Sequence, residues 1–153
     1  MDARSAAEVL KLCCGSARWA EEMSARRPFS DINELHRTAD LVWQALDRED
    51  WNEAFASHPK IGEIRNLSAW SKNEQEGMAT AADNIRACLA ELNREYQERF
   101  GFIFIVCATG KSAQEMLTSI EQRLQNSPDD ERQVAGQEQA KIVHLRLNKL
   151  VHG

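Results

Sequence analysis

Apolar residues recur every three or four positions along most of this chain, which is the spacing of one face of an α-helix. The first such run extends over residues 6–23 and stops before Pro28, because proline cannot continue a helix and restricts the residue before it. A second run over residues 32–46 follows Ser30 and Asp31, either of which can cap a helix N-terminus. The pattern therefore predicts one helix on each side of Pro28.

Two further helices are predicted in the middle of the chain. A short apolar run over residues 51–55 stops at His58, which a proline follows. Residues 60–70 lack a clear period and are predicted to form a loop. A sustained apolar stripe over residues 78–96 then indicates a long helix, and Gly101 lies just past its end, where glycine commonly terminates helices.

The segment 102–108, Phe-Ile-Phe-Ile-Val-Cys-Ala, breaks the helical pattern. Taken alone it has the composition of a β-strand, but the sequence contains no second run of this kind to pair with its backbone. We therefore predict a buried extended connection at this place. Helical patterns resume from Lys111 to Leu124 and from Pro128 to Val151.

These elements predict an all-α fold, a single-domain multi-helix bundle over residues 1–153 with one short buried extended segment near residues 102–108. A chain of 153 residues buries enough surface to fold without a metal or a disulfide. The net charge of −5 argues against a general nucleic-acid binder.

Glu8 and Lys11 interrupt any signal-peptide core, and no apolar run approaches the ~18–20 residues of a membrane span. We expect a cytoplasmic protein with neither nucleic-acid nor membrane partners.

The sequence shows no ligand pattern for a metal ion or a phosphate group. Its four cysteines include the adjacent pair Cys13 and Cys14 and no C-x-x-C pair, so we expect reduced thiols. There is no glycine-rich phosphate loop and no G-x-S-x-G nucleophile motif. Three of the four histidines have no zinc-ligand spacing: His36, His144 and His152. We therefore expect no metal site.

Two segments contain residue types suited to proton transfer. His58 lies at a helix-to-loop junction fixed by Pro59, and histidine titrates near neutrality. The alternative is a solvated residue at a helix end, which residue type alone favours. Ser71 and Glu74 have the spacing of a capping box, in which each side chain satisfies backbone donors of the first helical turn. The functional alternative is that Glu74 faces a cleft as a general base or hydrogen-bond acceptor.

A third candidate, Arg146, lies between two leucines on the last predicted helix. A partly buried guanidinium at this position could bind a carboxylate of a substrate through two parallel hydrogen bonds. The alternatives are an ion pair with an acidic side chain, such as Glu138 or Glu74, or a packed stem whose charged end reaches water.

Four segments in order resemble the signatures of one enzyme family, the OHCU (2-oxo-4-hydroxy-4-carboxy-5-ureidoimidazoline) decarboxylases. His58-Pro59-Lys60-Ile61-Gly62 is similar to the family's HPxLG motif. Ser71-x-x-Glu74-Gln75-x-Gly77 is similar to its S-x-E-Q-x-G region, with one extra residue in the spacing. Phe100-Gly101-Phe102-Ile103-Phe104-Ile105 resembles its FGxxFI run. The segment 138–147 resembles its ExxKIxxLRL motif.

The resemblance implies an all-α, cofactor-independent and homodimeric enzyme. It implies a small-molecule substrate, OHCU, which is converted to (S)-allantoin with loss of carbon dioxide in urate degradation. This reaction follows those of urate oxidase and 5-hydroxyisourate hydrolase. Lys60, Ile61 and Glu63 depart from the residues common in the family, and these departures bear on affinity more than on reaction type.

The resemblance also assigns roles to residues of this chain. His58 is the central catalytic group, and Glu74 assists it. Substrate-binding roles fall to five further residues: Pro59, Ser71, Phe104, Ile105 and Arg146. Three alternatives remain: a non-catalytic all-α interaction module, a related lyase or hydrolase acting on another ureido compound, and, more distantly, a metal-dependent hydrolase. An enzyme requires His58, Glu74 and Arg146 to converge on one pocket, whereas an interaction module does not.

Overall fold

Seven α-helices account for most of residues 2–58 and 83–152, which are the residues that the computed structural model of the protein describes. In chain order they are α1 (Ala3–Cys14), α2 (Ala17–Ala25), α3 (Ile32–Ala45), α4 (Arg48–Ala56), α5 (Asp83–Phe100), α6 (Ala113–Arg123) and α7 (Pro128–His152). These ranges contain no β-strand, and the predicted all-α class is confirmed. None of these helices is long and apolar enough to cross a lipid bilayer.

Short polar side chains start several of these helices by accepting a hydrogen bond from a backbone N–H of the first turn. Asp31 caps α3 by accepting from the N–H of Glu34 at 2.8 Å, which settles the choice between Ser30 and Asp31. Ser112 caps α6 by accepting from the N–H of Glu115 at 3.1 Å. A cap satisfies one of the backbone donors that a helix N-terminus leaves unpaired.

The prediction of one helix over residues 6–23 is wrong, because Gly15 and Ser16 divide this run into α1 and α2. Gly15 adopts a φ of 85° and donates its N–H to the carbonyl of Lys11 at 2.8 Å, which ends α1. Ser16 then accepts from the N–H of Trp19 at 3.2 Å and begins α2. The apolar spacing continues across this break, so periodicity alone does not reveal it.

The described residues belong to two compact units, Met1–Ser57 with Gly136–Gly153 and His58–Ala135. In the first unit, the indole of Trp43 stacks on that of Trp51 with ring centroids 4.7 Å apart. Trp43 Nε1 also donates to the carbonyl of Gly136 at 3.1 Å. A side chain at Gly136 would overlap the ring of Trp51, so this close approach of helix to ring requires glycine.

In the second unit, the extended segment 102–108 lies between α5 and α6 in the chain and is buried along most of its length. The predicted buried extended connection is therefore confirmed. Tyr96 of α5 is fully buried, as its apolar stripe predicts. Cys88 departs from the same stripe, because its side chain is exposed. The polar residue Asn93 is buried instead and donates from Nδ2 to the carbonyl of Leu89 at 2.9 Å.

Candidate functional site

His58 follows the C-terminal end of α4 and is half-buried. The preceding Ser57 closes the helix, because its hydroxyl donates to the carbonyl of Ala54 at 2.6 Å. The imidazole therefore lies just past a helix end, as the sequence predicts. Four other features of this region fall outside the described residues: Pro59, Ser71, Glu74 and the predicted loop at 60–70. Their predicted roles stay predictions.

Phe104 and Ile105 are consecutive residues of the extended segment, and they are 2% and 1% exposed. Because the described residues form no β-strand, the backbone of this segment is not paired in a sheet. Partners for its polar backbone groups therefore come from turns, side chains or a ligand. The structure shows one such partner clearly, at the carbonyl of Ile105.

That partner is Arg123, the last residue of α6, whose side chain is almost completely buried. Its Nη1 donates to the carbonyl oxygen of Ile105 at 2.7 Å. Its guanidinium carbon also lies 4.4 Å from the centroid of the Phe104 ring, which is the distance of a cation–π contact. A single buried cation thus contacts both residues of the extended segment for which the family resemblance implies substrate binding.

The charge of Arg123 is compensated by Glu131, a fully buried residue in the first turn of α7. Nε and Nη2 of Arg123 donate to Glu131 Oε2 at 2.8 and 2.5 Å. Asn126 Nδ2 donates to the other carboxylate oxygen at 3.0 Å, and the hydroxyl of Tyr96 donates to Oε2. Burial, and then the hydrogen bond with Glu131, raise the pKa of Tyr96 well above its usual range.

Arg146 belongs to the first unit and lies on α7. The residue is half-buried, and its Nη1 donates to the carbonyl oxygen of Cys13 at 3.3 Å. The neighbouring Cys14 is fully buried and accepts at its carbonyl from Gln139 Nε2 at 3.0 Å. Burial raises the pKa of the Cys14 thiol to about 12 and raises the pKa of Cys13 as well. Both thiols are therefore protonated near neutral pH.

Two histidines without zinc-ligand spacing in the sequence also lie close together in the first unit. The rings of His36 and His144 have centroids 4.3 Å apart and are tilted by 31°. His36 Nε2 is 2.9 Å from Asn148 Oδ1, and His144 Nε2 is 2.8 Å from Asp40 Oδ1. Within residues 2–58 and 83–152, no group of three or more His, Cys, Asp or Glu side chains is arranged to hold a metal ion.

Sequence reasoning missed Arg123 and Glu131. The signal available in the sequence is their position on apolar helix faces: Arg123 lies three residues after Ile120, and Glu131 lies four residues before Ala135. A charged residue at such a position is buried only when it is paired. Among the described residues, Arg123 contacts both Phe104 and Ile105. Convergence of His58, Glu74 and Arg146 on one pocket stays a prediction.

Known proteins are similar to this chain over most of its length. The family model described as OHCU decarboxylase matches residues 1–148. A 2-oxo-4-hydroxy-4-carboxy-5-ureidoimidazoline decarboxylase of Mus musculus is 32% identical over 133 residues, which are 83% of this chain and 75% of that protein. The uric acid degradation bifunctional protein TTL of Arabidopsis thaliana is 36% identical over 147 residues, 92% of this chain. The chain spans 45% of the length of this bifunctional relative.

A solved structure extends this similarity to the fold. A crystal structure of OHCU decarboxylase in the presence of (S)-allantoin superposes on this chain with a TM-score of 0.83 at 39% sequence identity. The match covers 94% of this chain and 96% of that one.

Proposed function

Because this chain belongs to the OHCU decarboxylase family, we propose that it catalyses the cofactor-independent decarboxylation of OHCU to (S)-allantoin in urate degradation. One observation carries the proposal: a crystal structure of OHCU decarboxylase in the presence of (S)-allantoin matches this chain over almost the full length of both. The enzyme is then a carboxy-lyase whose substrate is a small anion.

The chemistry of OHCU explains why such an enzyme can work without an organic cofactor. The carbon that carries the carboxylate also carries a hydroxyl group, and it is bonded to a ring carbon with a C=N double bond. When the bond to the carboxylate breaks, its electron pair forms a C=C bond, and the C=N electrons move to nitrogen, which takes a proton. The substrate thus acts as its own electron sink, the role for which other enzymes recruit a cofactor.

Formation of allantoin then requires two proton movements. The hydroxyl group loses its proton as its carbon becomes a carbonyl, and the neighbouring carbon that bears the ureido group gains a proton on one face. We assign the exchange of the hydroxyl proton to His58, because imidazole can give and take a proton near neutral pH. Glu74 holds the histidine or the ureido group in position. General acid–base assistance of this kind accelerates a reaction by roughly 10²–10⁴-fold.

Arg146 anchors an anionic or carbonyl group of the substrate away from the bond that breaks. A strong cation directly on the departing carboxylate would stabilise the ground state more than the transition state and would oppose decarboxylation. The net charge of −5 leaves the overall field unfavourable for an anion, so local groups must supply the binding. Ser71 and Pro59 complete the substrate contacts in this proposal.

The extended segment forms the apolar wall of the proposed site. Its buried side chains, including Phe104 and Ile105, exclude water, and its backbone offers polar groups to the ligand. An environment without water favours loss of charge from a carboxylate, because carbon dioxide is neutral.

We also propose that the chain folds as one domain over residues 1–153 and acts as a homodimer in the cytoplasm. Large apolar side chains on the first unit support an interface, since Leu12 and Leu41 are 78% and 65% exposed. Light scattering coupled to gel filtration tests the dimer, for which a mass near twice 17.4 kDa is expected.

The activity is tested by generating OHCU in situ from urate with urate oxidase and 5-hydroxyisourate hydrolase. Purified protein is expected to accelerate OHCU disappearance and to direct it to (S)-allantoin. His58→Ala and Glu74→Ala are expected to abolish most of this acceleration while the circular dichroism of the protein stays helical. Full activity in both folded variants would overturn the assignment of the site, and no acceleration by the wild type would overturn the function.

A further inference from the structure

The guanidinium of Arg123 uses its two sides for different partners. Nε and Nη2 contact one carboxylate oxygen of Glu131, at 2.8 and 2.5 Å. Nη1 instead donates to the backbone carbonyl of Ile105 at 2.7 Å. The planar, five-donor geometry of arginine makes this division possible, since a lysine ammonium presents its donors from a single atom.

This arrangement lies in a buried environment. Arg123 is 7% exposed, and Glu131 is fully buried. The remaining oxygen of Glu131 accepts from Asn126 at 3.0 Å, and the Tyr96 hydroxyl donates to the shared oxygen. Buried charges require such complete pairing, because each unsatisfied partner carries a large desolvation penalty. Arg123 and Glu131 therefore hold a fixed geometry, and the Ile105 carbonyl that Arg123 binds is fixed with them.

The extended segment depends on contacts of this kind. A helix fixes its own backbone by internal hydrogen bonds, but the segment 102–108 is neither helix nor strand. It is held by turn and side-chain contacts, among them the bond from the N–H of Lys111 to the carbonyl of Ala108 at 3.0 Å. Arg123 fixes it at two points: the carbonyl of Ile105 by a hydrogen bond and the ring of Phe104 by a contact of 4.4 Å with the guanidinium.

We infer that Arg123 is a positioning residue for the reaction: oriented by Glu131, it sets the place of the Phe104–Ile105 backbone against the substrate. This inference rests on the proposed function and on the substrate-binding role assigned there to Phe104 and Ile105. Arg123 acts through the segment and donates no proton to the substrate. Small displacements of groups that position a substrate are costly, because catalysis depends on reacting atoms held close to their productive geometry.

The experiment compares Arg123→Lys with the matched control Tyr96→Phe in the full chain. Arg123→Lys removes the fork that joins Glu131 to the Ile105 carbonyl. Tyr96→Phe removes from the same buried cluster the hydroxyl that contacts Glu131 and Arg123, but keeps the bond to Ile105. Urea unfolding first identifies a temperature at which each variant is folded. At that temperature we measure kcat and KM with OHCU generated in situ. We expect Arg123→Lys to lower kcat/KM at least tenfold, and Tyr96→Phe to keep kcat and KM within about twofold of wild type.

Hydrogen exchange supplies a readout that does not depend on activity. In Arg123→Lys, amides of the segment 102–108 are expected to exchange faster than in Tyr96→Phe, relative to the amides of α1. If Arg123→Lys does not fold, Val106 is replaced by its α-hydroxy acid. This replacement turns the Ile105 carbonyl into a weaker ester acceptor without changing a side chain, and the same loss of kcat/KM is expected.

The possible results distinguish a failure of the role inferred for Arg123 from a failure of the proposed function. A folded Arg123→Lys or ester variant with wild-type kcat and KM overturns the inference and leaves the proposed function intact. Equal losses of kcat/KM in Arg123→Lys and Tyr96→Phe also overturn the inference, because Arg123 then has only a structural role. A wild-type protein without activity overturns the proposed function and the catalytic part of the inference. Unchanged exchange in the segment 102–108 overturns the anchoring itself.

Discussion

Arg146 Nη1 donates a hydrogen bond of 3.3 Å to the carbonyl oxygen of Cys13, near the C-terminal end of α1. The residue assigned to substrate binding therefore also joins α7 to α1 within the first unit. This bond fixes the direction of the Arg146 side chain. Substitution of Arg146 consequently affects both stability and binding, and the two effects must be measured separately.

Arg146→Lys is expected to raise KM for OHCU about 10- to 100-fold with a smaller change in kcat. The physical reason is the loss of a two-pronged contact with an anionic group, since hydrogen bonds to charged groups contribute about 1.5–3 kcal/mol. Urea unfolding of the same variant should show a loss of about 1 kcal/mol from the bond to Cys13. Lys149→Met is the matched control, because this exposed cation lies one turn further along α7. An unchanged KM in Arg146→Lys would remove Arg146 from the site.

His58→Gln is expected to lower kcat by roughly 10²–10⁴-fold, because glutamine keeps hydrogen-bonding capacity but cannot exchange a proton near neutral pH. Stability should change little, since His58 lies past the end of α4 and is only half-buried. The control is His152→Gln, in which an exposed histidine at the C-terminal end of α7 is replaced. If both variants have the same kcat, His58 is a solvated residue at a helix end, as its residue type alone suggests.

Cys14 is expected to make the protein less stable above pH 9. Burial raises the pKa of its thiol from 9.0 to about 12, so the folded protein keeps a proton that the unfolded chain releases near pH 9. Rising pH therefore favours the unfolded chain from about pH 9 to about pH 12. Between pH 8 and pH 10 the free energy of unfolding should fall about 1.4 kcal/mol more in wild type than in Cys14→Ala. Cys88→Ala, which removes an exposed thiol, should keep the wild-type slope in urea titrations.

Gly15→Ala is expected to destabilise the protein more than Gly110→Ala. Both glycines have a positive φ, 85° and 79°, where a side chain costs about 1–2 kcal/mol. A Cβ at Gly15 would also overlap the side chain of Ser57, whereas a Cβ at Gly110 meets nothing within 4 Å. Overpacking should add about 1–3 kcal/mol at Gly15, measured by urea unfolding. The second substitution Ser57→Gly should recover most of this extra loss, and equal losses at the two glycines would contradict the packing argument.

The elements that depend on local chemistry could be predicted from the sequence. The start of α3 follows from the short polar side chains Ser30 and Asp31 ahead of an apolar run, and Asp31 is the one that caps it. The buried extended segment 102–108 follows from a continuous apolar run without a second strand. The break at Gly15 escaped prediction, because the apolar faces of α1 and α2 continue the same spacing across it.

The contents of the site were only partly predictable. Residue types and spacing left His58, Glu74 and Arg146 open to ordinary structural roles, and only the resemblance to a family suggested the functions proposed for them. The pairing of Arg123 with Glu131 and its bond to Ile105 depend on how α6, α7 and the extended segment pack. Their positions on apolar helix faces indicate burial, but the choice of partners is a tertiary contact that leaves no signal in the sequence.

The chirality of the allantoin that forms shows whether this chain decarboxylates OHCU. Urate is converted to OHCU in situ, and circular dichroism follows the allantoin that forms with and without this protein. Spontaneous decay of OHCU gives racemic allantoin, so the signal without protein stays near zero. We expect catalytic amounts of the wild-type protein to produce the signal of (S)-allantoin at a rate proportional to enzyme concentration. A signal that stays at the racemic background at every protein concentration would contradict the assignment of this chain as an OHCU decarboxylase.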